Sequence, residues 1–431
     1  MNTHLTMNHF QRIVLFLACP IVALAQPAFV PNYEEQKVGL YTLPDPLQPP
    51  NSKRITTVGQ WEMQHTYWLD QFAQHVYGKT PTDSVRLRYE VRNVTPNALG
   101  GKAIRKQVAI YMADYPQLPP IEVLLYIPKK SDASEQAKPA PVFLGLNFCG
   151  NHCVSTEPDL PLSDRWVSNA IGDVSANNRA TQKSRGMQAR RWPVDTILAR
   201  GYALVTAYYG DIEPDHVNGW KTGIRSVLGD TAKADNWGAI GAWAWGMSRL
   251  LDYLETEPMV DAKRVIAFGH SRIGKAALWA AAQDQRFAGI IANEAGEGGT
   301  ALSRRTYGET IGRINNAFPH WFAPRYKAYN DNVQALPVDQ HILLSLLAPR
   351  PLYVASAEED RWSDPNGEFL GAKGAEPVYA LYGKQGLGAT SLPSINTSIG
   401  STISYHIRTG VHDVTNFDWW QFLQFADDMV K

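Results

Sequence analysis

The stretch Arg264-Val265-Ile266-Ala267-Phe268-Gly269-His270-Ser271-Arg272-Ile273-Gly274-Lys275-Ala276-Ala277-Leu278-Trp279-Ala280-Ala281-Ala282 decides the fold. It opens as a short apolar run and closes as a small-residue helical stretch. Between the two, a Gly-x-Ser turn sets a hydroxyl where a strand ends and a helix begins. This is the plan of a nucleophile elbow: a sharp turn lifts Ser271 clear of a sheet, and the free N–H groups of the following helix start beneath it. The turn departs from the common G-x-S-x-G pattern, because Ile273 stands at the second glycine position and Gly274 follows one place later. A Gly-x-Ser turn alone is a weak signal, so the reading depends on partners elsewhere in the chain.

Working outward, Val142-Phe143-Leu144-Gly145-Leu146 and Tyr202-Ala203-Leu204-Val205-Thr206-Ala207 are continuous apolar runs of the kind found in buried parallel strands. Further short strands are expected at 265–268, 289–292, 352–355 and 403–407. Asn236–Glu255 is apolar at helical spacing. Residues 85–127 alternate as antiparallel strands do, and a helix is expected from Trp61 to Val76, carrying Tyr67, Trp68 and Phe72. The predicted fold class is α/β: an α/β-hydrolase with a mostly parallel central sheet, helices on both faces and an antiparallel N-terminal edge. Long insertions at 148–200, 208–236 and 296–349 follow strands, where the loops of such a sheet build its site.

Residues 1–25 read as a signal peptide: Arg12, an apolar core from Ile13 to Val22, and Ala23-Leu24-Ala25 as the cleavage pattern. That core is too short for a membrane anchor. Residues 26–431 then form a single catalytic domain, secreted or periplasmic, with no membrane insertion after cleavage. The chain has 41 basic and 41 acidic residues, and no basic tract points to nucleic acid. Cys149 and Cys153 have only His152 beside them, too few ligands for a metal site; a short-loop disulfide and two free thiols stay open. The 13 Trp and 19 Tyr suit either an aromatic core or sugar-stacking surfaces.

A Ser hydroxyl needs an imidazole to accept its proton and a carboxylate to orient that imidazole. His412 lies after the last expected strand and before the final helix, Phe417–Met429, where α/β-hydrolases carry their histidine. The competing reading is a surface histidine paired with Asp413. His270 precedes Ser271 and is expected to point away from it. Two acids compete for the third place. Glu294 ends the strand after the elbow, and Asp360 ends the next one.

On these residues the chain resembles the glucuronoyl esterases, carbohydrate esterase family 15, and its bacterial members most. Their G-x-S-R-x-G-K signature reads here from Gly269 to Lys275. Asn293-Glu294-Ala295-Gly296-Glu297-Gly298-Gly299-Thr300-Ala301, Arg361-Trp362-Ser363-Asp364-Pro365-Asn366-Gly367-Glu368 and the block around His412 resemble later family blocks. The resemblance implies cleavage of an ester at C6 of (4-O-methyl-)glucuronic acid, as in lignin–glucuronoxylan linkages. It implies Glu294 as the first choice of acid with Asp360 close behind, Arg272 in the oxyanion hole, and Lys275, Trp362 and, on a looser match, Glu309 as sugar contacts. Outside the resemblance, Arg272 reads as a helix-start ion pair, Lys275 as a solvated lysine and Trp362 as core. Fungal members carry a bridged Cys before the nucleophile, where this chain has His270. No metal or cofactor is implied, the expected partner is a glucuronoxylan or other glucuronate ester, and a monomer is expected. Rival readings are another carbohydrate esterase, for acetyl or uronate methyl esters, and a non-catalytic carbohydrate-binding protein.

Overall fold

Ten strands form the central sheet of the computed structural model, which describes residues 29–82, 84–129, 138–169 and 175–430. They are β1 Leu87–Asn97, β2 Ala103–Met112, β3 Ile121–Pro128, β4 Ala140–Asn147, β5 Ala203–Tyr208, β6 Val260–His270, β7 Gly289–Asn293, β8 Leu352–Ala357, β9 Thr397–Gly400 and β10 Ile403–Arg408. Their order across the sheet is β1-β2-β3-β5-β4-β6-β7-β8-β10-β9. The run from β5 to β10 is parallel, while β1, β2 and β3 form the expected antiparallel edge. The signal-peptide reading falls on residues outside those described. No helix among the described residues is long and apolar enough to cross a membrane.

The apolar runs split between two faces with the period of a strand. Val142 and Leu144 of β4, Val265 and Ala267 of β6, and Leu352 and Val354 of β8 pack on one side. Phe143, Ile266, Phe268 and Tyr353 pack on the other. Four helices used below cover these faces. α1 (Val58–Phe72), α2 (Ala239–Leu254) and α3 (Arg272–Gln283) lie on the first face, and α4 (Asn416–Met429) lies on the second. In α1, Trp61, His65, Trp68 and Phe72 form the buried stripe, so the inward face begins earlier than the sequence suggested and Tyr67 sits at its margin. The helix continues as a wider turn through Tyr77. Trp61, Trp68, Trp237, Trp243, Trp279 and Trp419 are fully buried, which assigns most of the tryptophan surplus to the core.

One strand was not expected, and one open alternative is decided. β9 adds an antiparallel strand at the far edge; its sequence, Thr-Ser-Ile-Gly, is too short and polar to show an alternation. Cys149 and Cys153 are joined as a disulfide in the turn after β4, the oxidised alternative of the two left open.

The elbow forms as the sequence indicated. Ser271 has φ +57° and ψ −130°, a conformation that costs a non-glycine residue of order 1–3 kcal/mol and persists only where its surroundings enforce it. Its N–H donates to Asn293 O at the end of β7 (2.9 Å). A Cβ on Gly269 would lie 2.2 Å from Ile273 O, so the strand can fold back on α3 only without a side chain there. A Cβ on Gly274 would lie 3.0 Å from Ala295 Cβ by the same construction, so a side chain there would crowd the chain that follows β7. Gly269→Ala is expected to lower stability by about 1–3 kcal/mol through overpacking and to displace the elbow. An unchanged melting curve with unchanged activity would refute this account of the turn.

Candidate active site

Four strand ends deliver the candidate side chains. β6 carries Ser271, β7 carries Glu294, β8 leads to Asp360, and β10 leads to the loop holding His412. Ser271, His412, Arg272, His270, Phe148 and Gln188 are among the residues lining one cavity of about 250 Å³. The His412 side chain is 40% exposed at the cavity while its inner edge rests on two buried carboxylates. Its Nδ1–H faces Asp360 Oδ2 at 2.6 Å and Glu294 Oε2 at 2.9 Å. With the proton on Nδ1, Nε2 is left as the acceptor available to a hydroxyl. Ser271 Oγ has no hydrogen bond among the described residues, a looseness common before substrate binds.

The two acids, left open by the sequence, are therefore both brought to the same imidazole nitrogen, and they differ in what else they hold. Glu294 is fully buried and ties Arg408 Nη2 (2.5 Å) with Oε1 and the backbone N–H of Asp413 (2.9 Å) with Oε2. Burial pushes its carboxyl up to about 7, against the pull of His412 and Arg408. Asp360 is also buried, but the hydrogen bond and charge of His412 outweigh that burial and hold it below the ordinary range. For His412, burial disfavours the cation; the hydrogen bonds to Asp360 and then Glu294 outweigh it and raise the group to about 9. Asp413, the alternative partner for His412, instead takes Arg191 Nε at 2.7 Å and Arg190 with its two carboxylate oxygens.

His270 is a correction to the sequence reading. It does not point away from the site: its ring centroid lies 4.5 Å from that of His412, and it lines the same cavity. Asn293 Nδ2 donates to His270 Nδ1 (2.9 Å) and to Asp413 O (3.0 Å). Burial, then the charge of His412, holds His270 well below the ordinary histidine range, so a neutral ring packs against the candidate base. His270, Glu294 and His412 also bring ligand-capable atoms within 4.8 Å of one another. Of these groups, both Glu294 oxygens are already engaged, by Arg408 and by the Asp413 N–H, and His412 Nδ1 by the two acids.

Arg272 opens α3, where a cation opposes the helix dipole. Its charge is offset by Asp215, which binds Nη1 through Oδ2 while its Oδ1 accepts His320 Nε2 (2.8 Å) and Trp321 Nε1 (2.7 Å). Burial opposes the Asp215 charge, but His320 and Arg272 outweigh it and hold the carboxyl well below its usual range. Arg272 lies over the Trp321 and Phe318 rings at 4.7 and 5.5 Å. Its Nε is buried with no hydrogen-bond partner. Asp215 was not singled out from sequence, although it lies in the insertion after β5; apart from Tyr209, whose hydroxyl donates to Oδ2 at 3.2 Å, its partners come from 272 and 320–321.

Lys275, Glu309 and Trp362 form a neighbouring group rather than the wall of the Ser271 cavity. Lys275 is buried, not solvated, and donates through Nζ to Ala295 O at 2.6 Å. Burial lowers its pKa, with Glu309 the strongest opposing charge. Glu309 is raised by burial and restrained by Lys275, by a hydrogen bond with Trp362 and by Arg272. Trp362 is half-buried, with the Arg313 guanidinium 5.9 Å from its ring centroid.

With this geometry in place, comparison with known proteins is decisive. A sequence family described as "Glucuronyl esterase, fungi" matches residues 229–383. A carbohydrate esterase of unknown prokaryotic origin is 44% identical over 401 residues, covering 92% of this chain and 91% of that one. A solved glucuronoyl esterase from Solibacter usitatus is 48% identical, with TM-score 0.85, covering 91% of this chain and 99% of that one. A solved promiscuous family 15 esterase from a marine bacterial metagenome is 43% identical, with TM-score 0.87, covering 93% and 100%.

The chain belongs to carbohydrate esterase family 15, the glucuronoyl esterases.

Within this family 15 enzyme, the two carboxylates predict a measurable pH effect. The base must be neutral to accept a proton, and both carboxylates favour its charged form. The acid limb of kcat/KM is therefore expected on the alkaline side, toward the His412 value of about 9. Asp360→Asn and Glu294→Gln should each move that limb to lower pH while lowering the maximal rate, Asp360→Asn more. A limb that stays in place in both variants would mean that neither carboxylate acts on His412.

Proposed function

We propose that this chain is an exported serine esterase hydrolysing esters of (4-O-methyl-)glucuronic acid, such as those joining glucuronoxylan to lignin alcohols. The observation carrying the reading is a strained Ser271 sharing one cavity with His412, whose far nitrogen faces two buried carboxylates. Family membership supplies the substrate class: the matching solved enzyme is a glucuronoyl esterase, and fungal relatives are named 4-O-methyl-glucuronoyl methylesterases.

In the proposed cycle, Ser271 Oγ attacks the C6 carbonyl carbon as His412 Nε2 takes its proton. The imidazolium is stabilised by Asp360 and Glu294. The oxyanion is assigned to the first N–H groups of α3 and to Arg272, which lines the same cavity as Ser271. The C–O bond to the alcohol breaks, and His412 returns the proton to the leaving oxygen. Water then attacks the acyl-enzyme, giving a proton to His412, which passes it back to Ser271 as the free uronate departs. Lys275, Glu309 and Trp362 are assigned to the sugar hydroxyls. The ester carries no charge, so this polar group, in which the charges of Lys275 and Glu309 oppose each other, suits the substrate better than an unopposed cation. The N-terminal 25 residues act as an export signal, and the remainder works as one catalytic domain and as a monomer.

Purified protein is expected to release alcohol from benzyl glucuronate and to leave an acetyl ester largely untouched, with Ser271→Ala inactive on both. Cleavage of the acetyl ester alone would remove the glucuronate assignment; release by Ser271→Ala would end the nucleophile assignment. Arg272→Met should reduce kcat about a hundredfold or more, the usual loss for an oxyanion donor, and steady-state kinetics on the same ester checks this.

A further inference from the structure

A second cavity, of about 480 Å³, lies on the same rim of the sheet as the catalytic one. It sits beyond the carboxyl ends of β4 and β5, against the start of β3. In the sheet order β5 is two strands from β6, roughly 10 Å at the usual strand spacing. Neighbouring stretches of chain line the two cavities: Phe148 and Ser168 line the first, while Gly150 and Arg165 line the second.

Its polar groups are only half paired. Asp211 is buried and lines the cavity; its Oδ2 accepts the Glu122 backbone N–H at 3.0 Å, while Oδ1 has no hydrogen bond among the described residues. The nearest cation to Oδ1 is Arg165 Nε at 3.8 Å, beyond hydrogen-bond reach, and that Nε is itself buried without a partner. Arg165 Nε is thus a buried donor left open at the cavity, which is costly unless a ligand or solvent completes it.

The chemistry of the ligand follows from what surrounds them. Arg165 Nε lies 3.3 Å from Asp164 and 3.8 Å from Asp211, so a guanidinium already stands between those carboxylates and a metal cation is repelled. Arg92 is likewise held on Glu122 at 3.3 Å. Three carboxylates against two guanidiniums leave no excess positive charge to attract an anion. Tyr208 supplies an aromatic flank. Donors, acceptors and a ring, with no excess positive charge for an anion and a guanidinium already set against a metal cation, fit neutral hydroxyl groups on a sugar.

We propose that this cavity is a second saccharide site, holding neutral xylose units of the polymer whose glucuronate ester occupies the catalytic cavity. The identity of the polymer rests on the function proposed above; the sugar-binding chemistry of the cavity does not.

The test is calorimetric titration of the full-length Ser271→Ala protein with xylotetraose, which carries no ester. Saturable binding is expected, weakened about fivefold or more by Asp211→Asn and by Arg165→Gln, each removing a charged hydrogen-bonding group. In the active background the same two substitutions should raise KM for a polymeric glucuronoxylan ester and leave kcat/KM on benzyl glucuronate unchanged. If the melting curve shows that Asp211→Asn is misfolded, Arg165→Gln decides, since that side chain is 26% exposed and its removal spares the core. Absence of xylotetraose binding, or binding that neither substitution weakens, overturns the proposal while benzyl glucuronate hydrolysis still stands. Binding that responds to both substitutions in an enzyme inactive on benzyl glucuronate upholds the site and removes only the esterase assignment.

Discussion

The Arg408 guanidinium is the constraint on which the candidate site depends. It ends β10, is buried, and uses all five of its donors. Nε meets both oxygens of Asp418 at 2.8 and 3.1 Å, Nη1 donates to Thr409 O and Val411 O at 3.0 Å each, and Nη2 binds Glu294 Oε1 and Asp413 O at 2.5 and 2.6 Å. The carbonyls on either side of His412 are thus fixed to one planar group. Asp418 closes the far side: it accepts His406 Nε2 at 2.9 Å and belongs to the capping box that starts α4. An exposed loop of this length would ordinarily wander. Here its backbone is hydrogen-bonded to a rigid fork seated in the sheet, and removing one partner of such a buried ion pair typically costs about 3–5 kcal/mol.

From this follows a division of labour between the acids. Glu294 faces Arg408 on one oxygen and the Asp413 N–H on the other, so much of its capacity goes to holding the loop. Asp360 approaches His412 Nδ1 more closely and stays ionised. The resemblance ranked Glu294 first; the geometry favours Asp360 as the group that orients the imidazole, with Glu294 positioning the loop that carries it. The His270 ring and Asn293 complete the support from below, where the sequence offered no reason to place them.

The features legible in the sequence were those written locally. The apolar run into Gly269-His270-Ser271 marked the elbow, the continuous apolar strands marked a parallel sheet, and the place of His412 after the last strand brought it to the Ser271 cavity. The polar edge strand β9 escaped because four residues carry no period. Arg408, Asp215 and the inward packing of His270 escaped because each depends on at least one partner from a distant strand or loop: Glu294 for Arg408, Arg272 and His320 for Asp215, His412 for His270. An arginine ending a strand and an aspartate in a long insertion look like solvated charges until the sheet brings β7, β8 and β10 side by side. The twin acids were visible as candidates, but the sharing of one nitrogen is a fact of register across three strands.

In the proposed cycle, the charges around Ser271 serve the transition state at the expense of the resting imidazole. Glu294, Asp360 and Asp418 outnumber the permanent charge of Arg408, so the cluster gains most when His412 is an imidazolium, the form that exists after Ser271 has lost its proton. On the opposite side, Arg272 keeps a positive charge at the start of α3, where the helix dipole is already positive, and Asp215 offsets it from behind. An uncharged ester placed between the two therefore meets a field that is of little use to the ground state. That field acts when negative charge builds on the carbonyl oxygen and positive charge on the imidazole, which is the differential binding that catalysis requires.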